Sequence, residues 1–217
     1  MMHLYAFGSV CRGEVSLDSD IDLLALLEGY DPRLDPAKYS IYSYSKMRLL
    51  WERGSPFAWH LAAESRLLFA SDDADFLRSL GQPSHYREAA ADCEKFLGVF
   101  SAARASIGES NKSGVFDLST VFLSVRNIAT CFALGVLRKP NFSRHSALAL
   151  SGDFLLPISQ DSYLVLERAR ILCTRSIGED ISEIDAARTI AEFDALEEWM
   201  VALLKEANRH ERVEQPS

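Results

Sequence analysis

The sequence lacks the features that mark several large protein classes. It has no basic excess: 23 Lys and Arg stand against 31 Asp and Glu, a formal net charge of −8, and the pI is near 5.2. That balance disfavours broad electrostatic binding to nucleic acid or anionic lipid and leaves room only for a local basic pocket. No uninterrupted apolar stretch of 18 residues is present, so no membrane span is expected. No basic lead precedes the apolar part of MMHLYAFGS, so a cleaved signal peptide is not expected and a cytoplasmic location is. There is no C-x-x-C pair. Cys11, Cys93, Cys131 and Cys173 lie far apart, three of them in helical apolar patterns, which predicts reduced core thiols. Cys11 sits beside a Gly-Ser pair without an evident base partner. Internal repeats and low-complexity tracts are absent too.

What the chain does have is an ordinary globular composition, 48% apolar and 25% charged over 217 residues. That length suffices for two small domains with usable cores. Residues 1–82 read as mixed α/β. Strands are predicted at Leu4–Phe7, Ile21–Leu27, Tyr39–Ser45 and Arg66–Ala70. GYDPRLDP (29–36) is a turn by its Gly, Asp and Pro content. Short helices are predicted at Lys46–Arg53, Phe57–Glu64 and Asp73–Leu80, stopped by Gly54 and Gly81. Composition shifts at Gly81-Gln82-Pro83-Ser84. Beyond it, stripes of the 3.6 period predict four long helices: Tyr86 to Ile107, Val115 to Phe132, Asp161–Ser176 and Ala186 to Leu203. A short helix is expected over Ser143–Leu150. Such stripes must bury their faces against one another, which implies a helical bundle over 83–210. Residues 211–217 are expected as a flexible tail, with fraying from about 208. The expected fold class is therefore α+β, a mixed-sheet domain followed by an all-α bundle.

The chemistry concentrates in LYAFGSVCRGEVSLDSDIDLLALL (4–27). Gly8 and Ser9 close one apolar run, and after ten intervening residues Asp20 and Asp22 open the next. Residues two apart in a strand share a face, so the two carboxylates are expected together while Ile21 and Leu23 face the core. Two carboxylates held that close repel unless a cation lies between them, and magnesium carrying a nucleotide's phosphates suits such oxygen ligands. Gly8 permits a tight turn and close backbone approach, whose N–H groups can cradle phosphate. Ser9 adds a hydroxyl, Arg12 can reach a phosphate with a charge-assisted hydrogen bond, and Ser19 can steady Asp20 or touch the ligand. Asp-x-Asp alone occurs in many solvated loops and Gly-Ser alone is weaker still. Their conjunction between two apolar runs, with Arg-Gly in the gap, is the sharper signal. The chemistry it suits is attack on the α-phosphorus of a nucleoside triphosphate with pyrophosphate leaving.

The motif GSVCRGEVSLDSDIDLLAL resembles the signature of the nucleotidyltransferase superfamily typified by DNA polymerase β, above all the minimal nucleotidyltransferases with Gly-Ser, ten residues, Asp-x-Asp. The resemblance covers about the first 27 residues. It implies that Asp20 and Asp22 bind magnesium–nucleotide and that Gly8 and Ser9 touch its phosphates. A small α/β domain followed by a helical one is also similar to kanamycin-type nucleotidyltransferases and to fused HEPN proteins. Active members of the superfamily carry a third carboxylate on a later strand. The matching segment here is YSIYSYS, with Ser40 or Ser43 at that position. Serine is a poor base at neutral pH. Glu64 or Asp35 is the candidate substitute, although Glu64 also reads as a helix cap.

In the helical half, Arg126 lacks the histidine four to six residues on that a HEPN ribonuclease would need. Positions 131–133 are Cys131, Phe132 and Ala133, and His145 lies in another local element. Arg126, Arg144, Arg168 and Arg170 are candidates for a phosphate-binding group at a cleft between domains, or for ordinary pairs with acids such as Glu167. His60 reads as a satisfied core or interface histidine rather than a catalyst. Trp51, Trp59 and Tyr42 are expected to pack between domains.

The function expected is transfer of a nucleoside monophosphate, AMP from ATP with magnesium, to a hydroxyl of a small molecule or protein. A nucleic-acid acceptor is disfavoured by the charge, and a homodimer is compatible with the sequence. The alternative is a noncatalytic nucleotide-binding or antitoxin-like module, because the third carboxylate is not evident. A scaffold that binds no nucleotide is the remaining alternative.

Overall fold

The computed structural model describes residues 1–13, 21–109 and 114–214. The chain divides into two compact units, Met1–Arg87 and Glu88–Ser217.

The first unit is built on a four-stranded sheet in the order β3-β2-β1-β4. Strands β1 (Met2–Phe7), β2 (Asp22–Leu27), β3 (Tyr39–Tyr42) and β4 (Arg66–Ala70) are joined by the one-turn helix α1 (Ser9–Arg12) and by α2 (Tyr44–Glu52) and α3 (Pro56–Glu64), with α4 (Phe76–Ser79) after β4. The central strand β1 runs antiparallel to both β2 and β4, while β2 and β3 are parallel. β2 reads as a continuous apolar run because both of its faces are covered. Leu24 and Leu26 join Tyr5 and Phe7 against Met47, Trp51 and Leu61 from α2 and α3 and Phe76 and Leu77 from α4. Ala25 and Leu27 pack on the other face with Leu34, Met2 and Leu4. Each fully buried leucine contributes about 1.5–3 kcal/mol by leaving water.

Local chemistry sets the helix starts. The Ser43 hydroxyl accepts the Lys46 N–H at 3.1 Å, and the Ser55 hydroxyl accepts that of Ala58 at 3.2 Å with Pro56 in the first turn. The strand expected to run to Ser45 therefore ends at Tyr42, since Ser43 caps α2. Asp75 caps α4 in the same way, which delays that helix from Asp73 to Phe76. The segment 81–84 is tied to this unit rather than free. Trp51 Nε1 donates to the Gly81 carbonyl at 2.9 Å, Trp59 Nε1 to that of Ser84 at 3.0 Å, and the Ser84 N–H to that of Trp51 at 2.9 Å. Trp51 lies in the sheet-domain core, and the Tyr42 ring meets that of Phe57 in a tilted contact at 5.4 Å. These aromatics serve the first unit's own packing.

The second unit contains α5 (Ala89–Glu109), α6 (Gly114–Gly135), α7 (Gln160–Arg175), α8 (Glu183–Ile190) and α9 (Phe193–Glu214). α5 packs on α6 and α9, and α6 on α7, the expected bundle. Phe100 meets Phe193 at 5.7 Å and Phe122 meets Tyr163 at 5.6 Å. By length and composition α6 is apolar enough to cross a membrane, with a mean hydropathy of 1.4 over 18 residues, although Arg126 and Asn127 interrupt its apolar run. Its apolarity matches its central place, 78% of that window being buried inside the protein. The helix expected over Ser143–Leu150 is a series of turns instead. The Arg126 guanidinium donates to the Phe142 carbonyl at 2.6 Å and the Asn141 side chain accepts the Ser143 N–H at 3.0 Å. Such bonds draw backbone groups away from a helical ladder. α9 continues to Glu214, through residues expected as tail, because Ala207 is buried and the Glu211 carboxylate accepts the Ala90 N–H at the start of α5 at 2.9 Å. Cys93 and Cys131 are buried as expected, whereas Cys173 is exposed, on the solvent side of α7.

Candidate active site

The end of β1 delivers the chain to Gly8, whose φ of 76° and ψ of −147° suit only glycine. A second constraint acts at the same atom. A Cβ on Gly8 would collide with a carboxylate oxygen of Asp22. The β1–β2 register explains this, since Phe7 is paired with Asp22 and Gly8 is the next residue along. The Gly-Ser turn and the second aspartate of the motif are thus in contact. α1 follows at once, with Cys11 and Arg12 N–H groups donating to the Gly8 carbonyl at 3.0 and 3.3 Å. Gly13, left-handed at φ 78°, ends it. Ser9 opens this turn beside Gly8. Ser19 and Asp20 lie outside the described residues, so Asp22 is the member of the aspartate pair whose surroundings are seen.

Asp22 is exposed at the head of β2. By strand alternation its side chain shares a face with Leu24 and Leu26, the face covered by α2 and α3. Ile21 does not pack into the core as expected: it is 60% exposed, because it precedes the first paired residue of β2. Ser40 pairs with Leu24 across the parallel β2–β3 ladder and so lies on the same face as Asp22, one row in. Asp22, Lys38 and Ser40 line a groove of about 490 Å³ together with Ile21, Leu23, Pro36, Ala37 and Tyr39. Ser43 is excluded from the third-carboxylate position by its capping role. Asp35 is spent on its own turn, accepting the Ala37 N–H at 2.9 Å.

Glu64, at the end of α3, lies beside this turn. It bonds Arg12 Nη1 and His60 Nε2, the latter at 2.9 Å, through the same oxygen. His60 meets the Phe7 ring edge-on at 5.5 Å. Burial alone would raise the Glu64 carboxyl. The His60 hydrogen bond and the positive potential of His60 and Arg12 outweigh it and hold the group below its ordinary range. A carboxylate oxygen already engaged by Arg12 and His60 is a poor candidate for a metal-binding acid. Burial pushes the Cys11 thiol up, and the charges of Glu64 and Asp22 add to that against Arg66 and Arg12. A thiolate nucleophile is disfavoured there. The partnership of Glu64 with Arg12, 52 residues apart, has no sequence signal. The His60–Glu64 half of it does, as an i,i+4 pair on one helix face.

The arginines of the helical unit do not form one group. Arg126 holds the 141–146 loop, Arg144 and His145 each meet Glu167 at 3.3 Å, and Arg168 meets Asp185 at 3.4 Å. Among the described residues no cluster of three or more His, Cys, Asp or Glu is arranged to hold a metal.

In the first unit, then, a short strand ends in a Gly-Ser turn, with an aspartate of the neighbouring strand against the glycine. Residues 3–88 match the family model of the nucleotidyltransferase domain. The first unit is therefore a nucleotidyltransferase domain, followed by a helical region, and it supports a nucleotidyl-transfer function. No curated protein matches the chain.

Proposed function

We propose that the chain is a magnesium-dependent nucleotidyltransferase that moves AMP from ATP to a hydroxyl of a small molecule or protein. The observation that carries this reading is the contact of Gly8 with Asp22, which joins the two halves of the motif in one site. The donor set suits a hard divalent cation. Magnesium is commonly held by one or two carboxylates plus substrate phosphates, keeping several waters. Asp22 and Asp20 supply the carboxylates, and Gly8, lacking a Cβ, lets the Asp22 carboxylate lie against the turn. When bound, the metal supplies charge neutralisation along the triphosphate. The protein's own groups do the rest: the Gly8–Ser9 turn receives phosphate oxygens, Arg12 offsets negative charge, and the groove by Ser40 admits the acceptor.

Two observations favour a second reading, a nucleotide-binding module without turnover. Ser40 stands on the face where a third acid would complete the site, and Glu64 is engaged by Arg12 and His60. Incubation with ATP labelled at the α-phosphate and with panels of proteins and small hydroxyl compounds separates the two. Label transferred by the wild type and lost in Asp22→Asn supports the enzyme. Binding of ATP with magnesium but no transfer supports the module, and absence of both refutes the site.

A further inference from the structure

Glu64 has a place in this site that the motif does not assign. β4 starts at Arg66, which pairs with Ala6 in antiparallel sense. Reading back from Arg66 therefore brings the chain level with Phe7 and Gly8, where α3 ends. The Glu64 carboxylate, 12% exposed, there joins three elements: Arg12 of α1, His60 of its own helix and, through the His60 ring, Phe7 of β1. Phe7 is the residue paired with Asp22.

α1 has a single turn and none of its residues is fully buried, so the Glu64 carboxylate is a tie between Arg12 and an element outside that turn. A free arginine side chain has several rotatable bonds, and ordering them on binding opposes association. Arg12 has that ordering already: its side chain is only 19% exposed, with Nη1 on Glu64.

We propose that Glu64 is a positioning residue, which holds Arg12 ready for the phosphate chain of a nucleotide bound at Gly8 and Asp22 and does not itself touch nucleotide or metal. This rests on the reading given under Proposed function. Glu64 supplies preorganisation, and Arg12 makes the contact.

A double-mutant cycle tests it on the full chain, with calorimetric binding of the α,β-methylene analogue of ATP in magnesium. Wild type should bind and Asp22→Asn should not; if wild type gives no heat, the site reading fails and this proposal with it. Given binding, Glu64→Ala should weaken affinity about tenfold, and Arg12→Ala by a similar or larger factor. Adding Glu64→Ala to Arg12→Ala should then change nothing further. Glu64→Asp, with the charge kept on a shorter stem, should recover part of the loss. If Glu64→Ala does not fold, Glu64→Gln, of nearly the same shape, takes its place in the cycle. Three results would overturn the proposal while leaving the site reading intact: unchanged affinity in Glu64→Ala, an equal loss in both backgrounds, or tighter binding, which would make Glu64 a competitor for Arg12.

Discussion

Gly8→Ala is the perturbation that reaches most directly into the architecture of this site. Two costs fall on one methyl group. The first is conformational: φ 76° with ψ −147° is a region that alanine enters only under strain, worth about 1–3 kcal/mol. The second is steric, because the new Cβ overlaps a carboxylate oxygen of Asp22. An exposed carboxylate can swing aside at modest energetic cost, so stability should register mainly the first term. A loss of that size lowers the melting temperature of a domain this small by roughly 4–8 °C per kcal/mol. Nucleotide binding should register the second term, since on the proposed reading the displaced oxygen is one that would hold the metal; affinity for the ATP analogue in magnesium should fall by about tenfold or more. Gly13→Ala is the control. Gly13 is also left-handed, at φ 78°, but a Cβ there meets nothing within 4 Å among the described residues, so Gly13→Ala should lower stability by about 1–2 kcal/mol with a much smaller loss of affinity. Thermal unfolding followed by circular dichroism and calorimetric titration read the two quantities separately. Wild-type binding by Gly8→Ala, or equal losses of binding in the two variants, would refute the argument that Gly8 is there to admit Asp22.

Other expectations follow from the same coordinates. Glu64 is depressed below its ordinary value of 4.5 in the folded state, so its stabilising contribution is complete above that value and is lost as pH falls through the folded one. Glu64→Gln should therefore flatten the fall of melting temperature on acidification below about pH 4.5, and a slope identical to wild type would contradict the assignment. The Tyr5 hydroxyl donates to Asp75 and accepts the Leu77 N–H, both at 3.0 Å. Tyr5→Phe should cost about 1–3 kcal/mol in chemical denaturation, because it strands that N–H. Ser40→Asp places an acid on the face of Asp22 and should tighten manganese binding several-fold, measured by electron paramagnetic resonance; no change would place Ser40 outside the site.

The sheet domain was legible because its signals are local. Alternation and apolar runs located all four strands, and the spacing of Gly8, Ser9, Asp20 and Asp22 carried the resemblance to nucleotidyltransferases that the match over residues 3–88 supports. Contacts that depend on tertiary register were not legible. Glu64 meets Arg12 only because β4 pairs with β1 and so carries the end of α3 to the Gly8 turn. Ser43 looked like a strand residue amid YSIYSYS, yet its hydroxyl found the Lys46 N–H and began a helix. The Ser143–Leu150 segment was expected as a short helix, but the Arg126 side chain takes the Phe142 and Ser143 carbonyls at its start. Ile21 looked like a core residue by alternation and is exposed, since pairing starts one residue later. Strand existence is thus written in neighbours along the chain, whereas strand ends and ion pairs are decided by neighbours in space.

Paramagnetic broadening by manganese tests the central claim most directly. With the ATP analogue present, a manganese ion held by Asp22 should broaden the backbone amide resonances of Gly8, Ser9 and Asp22 before those of the far ends of β1 and β2, and Asp22→Asn should abolish the pattern. Broadening centred elsewhere in the chain, or an Asp22→Asn spectrum indistinguishable from wild type, would contradict the account.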